Sequence, residues 1–128
     1  MKSGIQAPQL EVRLSKMYTA KQGDIIWLDF DPQAGHEQKG RRPAVVVSND
    51  VFNGFTQKAA LVCPVTSNDR GIPHHLALDE RTKTNGVVLT DQAKILDISK
   101  RNAEFIEVLP KDFVLELVDT LYGFIYTA

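Results

Sequence analysis

From residue 24 onward the chain alternates between short apolar runs and clusters of turn-forming residues. Ile25-Ile26-Trp27-Leu28-Asp29-Phe30 mixes β-branched and aromatic side chains before Asp31-Pro32, which predicts a strand closed by a turn. Residues 43–48 and 59–66 are nearly continuous apolar runs and predict two further, buried strands. Shorter strands are expected at 74–78, 86–90 and 92–98, separated by turn signals at Asn53-Gly54, Asn68-Asp69-Arg70-Gly71 and Asn85-Gly86. Short strands at this spacing point to a small barrel or a strongly curved sheet. The period then changes. Phe113, Leu117, Leu121 and Ile125 recur every four residues, flanked by Val114, Val118 and Phe124, which predicts an amphipathic helix packed on the sheet. Pro110 suits its first position and Asp112 its first turn. A shorter helical piece is expected near 99–103. Residues 1–20 are weakly periodic and read as a solvated arm before a single domain at 21–128. The expected class is mainly β, a small barrel carrying a C-terminal amphipathic helix.

Composition narrows the picture further. With 128 residues, 43% of them hydrophobic, the chain can fill one core but not two, which argues against disorder and against two domains. The apolar runs at 43–47 and 59–65 are far shorter than a membrane span, and no basic head followed by a long apolar stretch suggests a secretory leader. The one cysteine, Cys63, allows neither an internal disulfide nor a cysteine-based zinc site and favours a reducing cytosol. The near-zero net charge hides an asymmetry. Fourteen Lys and Arg face eleven Asp and Glu over residues 1–102, whereas one Lys faces five acids over 103–128. A basic stripe on one element is compatible with phosphate binding when the acids sit on another.

Chemistry-bearing residues gather at a few places. Residues 35–43, GHEQKGRRP, hold three cations, one acid and one histidine between two predicted strands. Such a loop is either a solvated hairpin or a phosphate contact. Arg42 directly precedes Pro43 and the buried run, so its backbone is extended and anchored, and an anchored guanidinium offers a fixed fork where Lys39 offers a mobile charge. Thr66 and Ser67 end a buried strand and serve either as turn-formers or as donors at the open end of the barrel. His74 and His75 are adjacent; on a strand they would point to opposite faces, so no metal site is expected from them. Asp91-Gln92 interrupts two apolar runs, as a polar bulge or as a site carboxylate. Cys63 reads as an inert core thiol. No nucleophile elbow, phosphate-cradling glycine loop, HExxH or dinucleotide fingerprint is present.

The string from Gly23 to Pro32, followed by Gly35-His36-Glu37-Gln38, Gly40 and Arg42-Pro43, resembles the opening of the MazF/PemK (Kid) toxin family. The likeness continues through Phe52-Asn53, Cys63-Pro64-Val65-Thr66-Ser67, Arg70-Gly71-Ile72-Pro73 and Gly86-Val87-Val88-Leu89-Thr90-Asp91-Gln92. It spans about residues 23–125. The resemblance implies an SH3-like β-barrel with a C-terminal helix, assembled as a homodimer. It also implies a toxin of a type II toxin–antitoxin pair: a sequence-selective, metal-independent and cofactor-free endoribonuclease acting on single-stranded RNA. A cognate antitoxin with a disordered acidic tail is the implied partner, and no membrane is. Residue by residue, Arg42 and Thr66 match the family's catalytic arginine and threonine. His36 and Asp91 match acid–base residues of the Kid branch. Ser67 matches an RNA contact, and His74 stands where an aromatic base contact is common. Glu37, Gln38, Lys39, Arg41 and Asn53 lie in the same signature stretches and are further expected RNA contacts. Leu89 stands where the Kid branch has an arginine, which favours an Arg–Thr mechanism.

RNA supplies its own nucleophile in the 2′-hydroxyl, so such an enzyme needs only to align that group and stabilise the charge growing on phosphorus. Two other classes share the expected fold: a CcdB-like gyrase inhibitor and an inactive SH3-like binding module. The inhibitor acts through a tryptophan-bearing C-terminal tip, and the single tryptophan of this chain is Trp27.

Overall fold

Residues 43–47 and 59–65 lack the polar alternation of a half-solvated strand because both faces of their sheet are covered. The computed structural model describes residues 18–30 and 40–127. Among these it places seven strands: β1 (Asp24–Asp29), β2 (Arg41–Val46), β3 (Ala59–Thr66), β4 (Leu76–Ala77), β5 (Val87–Val88), β6 (Lys94–Asp97) and β7 (Glu104–Val108). Two helices accompany them, α1 (Asp50–Thr56) and α2 (Lys111–Gly123), with 3₁₀ turns at Thr90–Gln92 and Ile98–Lys100. Every pairing is antiparallel, in the order β4-β5-β3-β2-β1-β7, and β6 also pairs with β3. β3 therefore carries two short partners along one edge, β6 on residues 59–62 and β5 on Val65 and Thr66. This splitting curls the sheet into an open half-barrel.

Alternation along β1–β3 feeds two cores. Ile25, Val45, Cys63 and Val65 point to one face, where Leu109, Phe113, Val114 and Leu117 of the α2 region cover them. Ile26, Leu28, Ala44, Val46 and Val62 point to the other, where they meet Ala20, Phe30 and Ile98. Tyr18 packs against this second cluster, and its hydroxyl donates to the buried Asp24 carboxylate. Packed structure thus includes the last residues of the stretch read as an arm; residues 1–17 lie outside the described ones.

The longer predicted elements appear close to where the pattern puts them. Pro110 sits at the N-cap of α2, one position before the first helical turn, and Leu109 and Val114 flank the cap in the same apolar cluster as a hydrophobic staple. α2 ends at Gly123, short of the Ile125 that the apolar period suggested. Two elements were not expected. α1 starts at an Asn49 cap, whose side chain accepts from Phe52 N, and β7 is an edge strand pairing with β1.

Candidate functional site

β2 and β3 bring the two strongest sequence candidates to one end of the sheet. Ala44 pairs with Pro64 and Val45 with Cys63; the same register, carried two residues further, sets Arg42 opposite Thr66. Residues directly opposite in an antiparallel pair share a face, with Cβ atoms about 4.5–5.5 Å apart. On its other side Arg42 pairs with Leu28 of β1, which fixes its backbone from that edge. Its Nη1 donates to Val65 O at 3.3 Å, which turns the guanidinium over the end of β3. Thr66 Oγ1 accepts from Asn68 N at 3.2 Å. That bond fixes the hydroxyl oxygen as an acceptor and leaves its proton to donate elsewhere. Ser67, next along, is exposed. A planar cationic fork beside an oriented hydroxyl can hold the non-bridging oxygens of a phosphodiester.

Sequence reasoning missed the residue that holds Thr66 in place. Gly86 (φ +123°) lies so close to β3 that a Cβ there would stand 2.3 Å from Thr66 O. Only glycine lets β5 begin against the end of β3. The Asn85-Gly86 turn signal was legible, but not what it approaches.

Asp91 is held by two imidazoles. His75 Nε2 lies 2.9 Å from Asp91 Oδ1, and His74 Nε2 lies 3.4 Å from Oδ2. Burial raises the Asp91 carboxyl, yet the two imidazoles outweigh it and hold the group below its ordinary value. The expectation that the histidines point apart fails here. Residues 74 and 75 precede β4 in a turn closed by His75 N donating to Ile72 O, so strand alternation does not apply. Their rings stand edge to face with centroids 4.9 Å apart, and His74 meets Phe124 beyond α2 in the same way.

The remaining candidates fall elsewhere. Arg41 donates to Asp29, to Glu104 and to the carbonyl of Asn102, and so ties β2 to β1 and β7. Asn53 is buried, and its amide donates to Ser48 O while accepting from the Ser48 hydroxyl. The Asn53 side chain is committed inside the fold, whereas Arg41 makes its ion pairs at the exposed surface. His36, Glu37, Gln38 and Lys39 lie outside the described residues. Cys63 is fully buried beneath α2, and burial, assisted by the Asp91 charge, pushes its thiol up to about 12.

A half-barrel of this topology, helix-covered on one face, is the fold of a class of small toxins. The model of the PemK-like, MazF-like toxins of type II toxin–antitoxin systems matches residues 21–125, and the chain belongs to that family. It is 41% identical over 86 residues to the endoribonuclease toxin MazF of Escherichia coli strain K12, covering 67% of this chain and 76% of the relative. The crystal structure of MazF from Deinococcus radiodurans superposes with a TM-score of 0.78 at 41% identity, covering 84% of this chain and 96% of that one. A MazE–MazF complex from the same organism gives a TM-score of 0.75 at 40% identity, over 87% and 99% of the two chains.

Proposed function

We propose that this chain is a sequence-selective endoribonuclease that cleaves single-stranded RNA without a cofactor. The observation that supports the reading is Arg42 turned onto Val65 O at the end of β3, where the β2–β3 register, extended two residues, brings it opposite Thr66, in a chain similar to a named endoribonuclease toxin. The 2′-oxygen attacks phosphorus as the P–O5′ bond breaks, leaving a 2′,3′-cyclic phosphate and a 5′-hydroxyl. Arg42 neutralises charge on the non-bridging oxygens, and Thr66 donates one hydrogen bond to them. A guanidinium is too weak an acid to be a good proton donor, so its role is electrostatic. The 2′-hydroxyl proton passes to a general base and the leaving oxygen takes one up; His36 and Asp91 are assigned to these transfers. Ser67, His74, Glu37, Gln38, Lys39 and the exposed Arg41 contact the strand, while the buried Asn53 acts through the framework it braces.

The partner follows from a similar MazF solved with MazE. An acidic, disordered antitoxin segment competes with RNA for the same cationic edge, and the toxin works as a homodimer in the cytosol. Incubation of purified protein with a long single-stranded transcript in EDTA tests the reading. Cleavage at a short recurring sequence with cyclic-phosphate ends, abolished by Arg42→Ala, is expected. Intact RNA would sink it, and trapping of gyrase on DNA would favour the inhibitor class.

A further inference from the structure

Two of the chain's three histidines converge on one carboxylate, that of Asp91, so an ion held there would compete with the RNA roles proposed above for His74 and Asp91. One donor atom from each of His74, His75 and Asp91 lies within 4.8 Å of the others. A tetrahedral zinc site with ligands at about 2.0–2.1 Å spaces its donors roughly 3.3 Å apart. The carboxylate oxygens stand 2.9 Å and 3.4 Å from the two imidazole nitrogens, and the wider separations within the set, up to 4.8 Å, close around an ion only as the side chains rotate.

A second, independent observation points to an occupant. His74 Nε2 is shut away from solvent, and its contact with Asp91 Oδ2, at 3.4 Å, is longer than a well-formed hydrogen bond; the equally buried His75 Nδ1 makes none. A buried nitrogen so weakly paired is costly to keep, and a metal ion at His74 Nε2 would satisfy it. The backbone around the cluster is set in advance. The buried Thr90 donates its hydroxyl to His74 O at 2.6 Å, and the His75 side chain is only 7% exposed. Asp91 is about half exposed, which leaves a side open to water as a fourth ligand.

We infer that His74, His75 and Asp91 form a binding site for a borderline-soft divalent ion of the Zn²⁺ class. Two imidazoles and one carboxylate select zinc, cobalt or nickel over the hard cations Mg²⁺ and Ca²⁺, which take oxygen ligands. The ion joins the 3₁₀ turn at Thr90–Gln92 to the turn before β4, beside Phe124 at the end of α2.

Chelator-treated full-length protein, titrated without RNA, tests the site with Zn²⁺, with Co²⁺ as a spectroscopic probe and with Mg²⁺ as a control. One Zn²⁺ should bind per chain, Co²⁺ should develop a visible tetrahedral band, and Mg²⁺ should displace neither. His74→Ala and Asp91→Asn, both at partly exposed positions, should each weaken Zn²⁺ binding about tenfold or more while melting cooperatively. Absence of Zn²⁺ binding at roughly 100 μM would overturn the inference. Equal affinity in both variants would also overturn it, because the ion would then sit elsewhere, for example on His36. As binding is read without RNA, this result and the nuclease assay fail independently.

Discussion

At the scale of single residues, the site depends on a few atoms that the backbone holds in place. On the proposed mechanism, replacing Arg42 with Ala, or Thr66 with Val, removes one donor to the phosphate, and loss of such a donor costs roughly 10²–10³ in rate. Initial rates on a fluorogenic RNA should fall by that factor while the melting temperature stays within a few degrees. Gly86 is the sharper test, because it packs directly against the backbone carbonyl of Thr66. In Gly86→Ala the methyl group meets Thr66 O and the residue must also keep φ at +123°. The expected loss is about 1–3 kcal/mol by chemical denaturation, with cleavage reduced even where the variant is fully folded. Gly71→Ala is the control, since it carries a positive φ with nothing within 4 Å of the added carbon. It should lose less stability and keep its activity. Cys63 makes the opposite kind of prediction. With its thiol pushed up to about 12 and fully buried, it should resist iodoacetamide at pH 8 until denaturant is added, as mass spectrometry would show.

At the scale of elements, the strands legible in the sequence are those that bury the most. Residues 43–47 and 59–65 announce themselves because both their faces are covered, and α2 because Phe113, Val114 and Leu117 face one core. The elements the pattern hides bury little that is apolar. α1 has one buried residue, the polar Asn53, so no hydrophobic stripe marks it, and Gly54 within it reads as a turn. In β7 no residue is fully buried, and its sequence Glu104-Phe105-Ile106-Glu107-Val108 does not alternate cleanly between apolar and polar. Part of the site is hidden for a related reason. Arg42 and Thr66 could each be suspected, but their pairing depends on a β2–β3 register that the intervening α1 obscures. The His74–His75–Asp91 cluster requires a turn where the pattern suggested a strand. β7 nevertheless holds the loop before β5. The Glu107 carboxylate accepts from Lys83 N at 3.0 Å, Thr84 N at 2.8 Å and Thr84 Oγ1 at 2.7 Å. Burial raises this carboxyl, but the donors outweigh it and hold it below its ordinary value. A lowered carboxyl stabilises fully above its unfolded value of about 4.3, and that contribution is lost as pH falls through the folded value. Amide exchange at Lys83 and Thr84, corrected for intrinsic rates, should therefore lose protection between about pH 5 and pH 3. Glu107→Gln should remove most of that pH dependence.

At the scale of the whole molecule, α2 carries more apolar surface than one sheet can cover. One stripe, Phe113, Val114 and Leu117, is buried against β1–β3. A second, Leu115, Val118 and Tyr122, continues past the helix end to Ile125 and Tyr126, and these residues are 39–84% exposed. Their spacing of three and four keeps them on one side of the helix. A soluble monomer rarely leaves so continuous an apolar row in water, and a second copy of the chain is the partner that the homodimer reading supplies. An isologous contact would pair the stripe with itself. Glutamate at Leu115 or Tyr122 would then be placed near its own symmetry mate, so each substitution adds like-charge repulsion to lost burial. Sedimentation velocity should show a dimer for the natural chain and a monomer for Leu115→Glu combined with Tyr122→Glu. Because association stabilises the folded state by mass action, the melting temperature of the natural chain should rise with protein concentration and that of the double variant should not. A natural chain that sediments as a monomer, with a melting temperature independent of concentration, would remove the second copy as the occupant of this face.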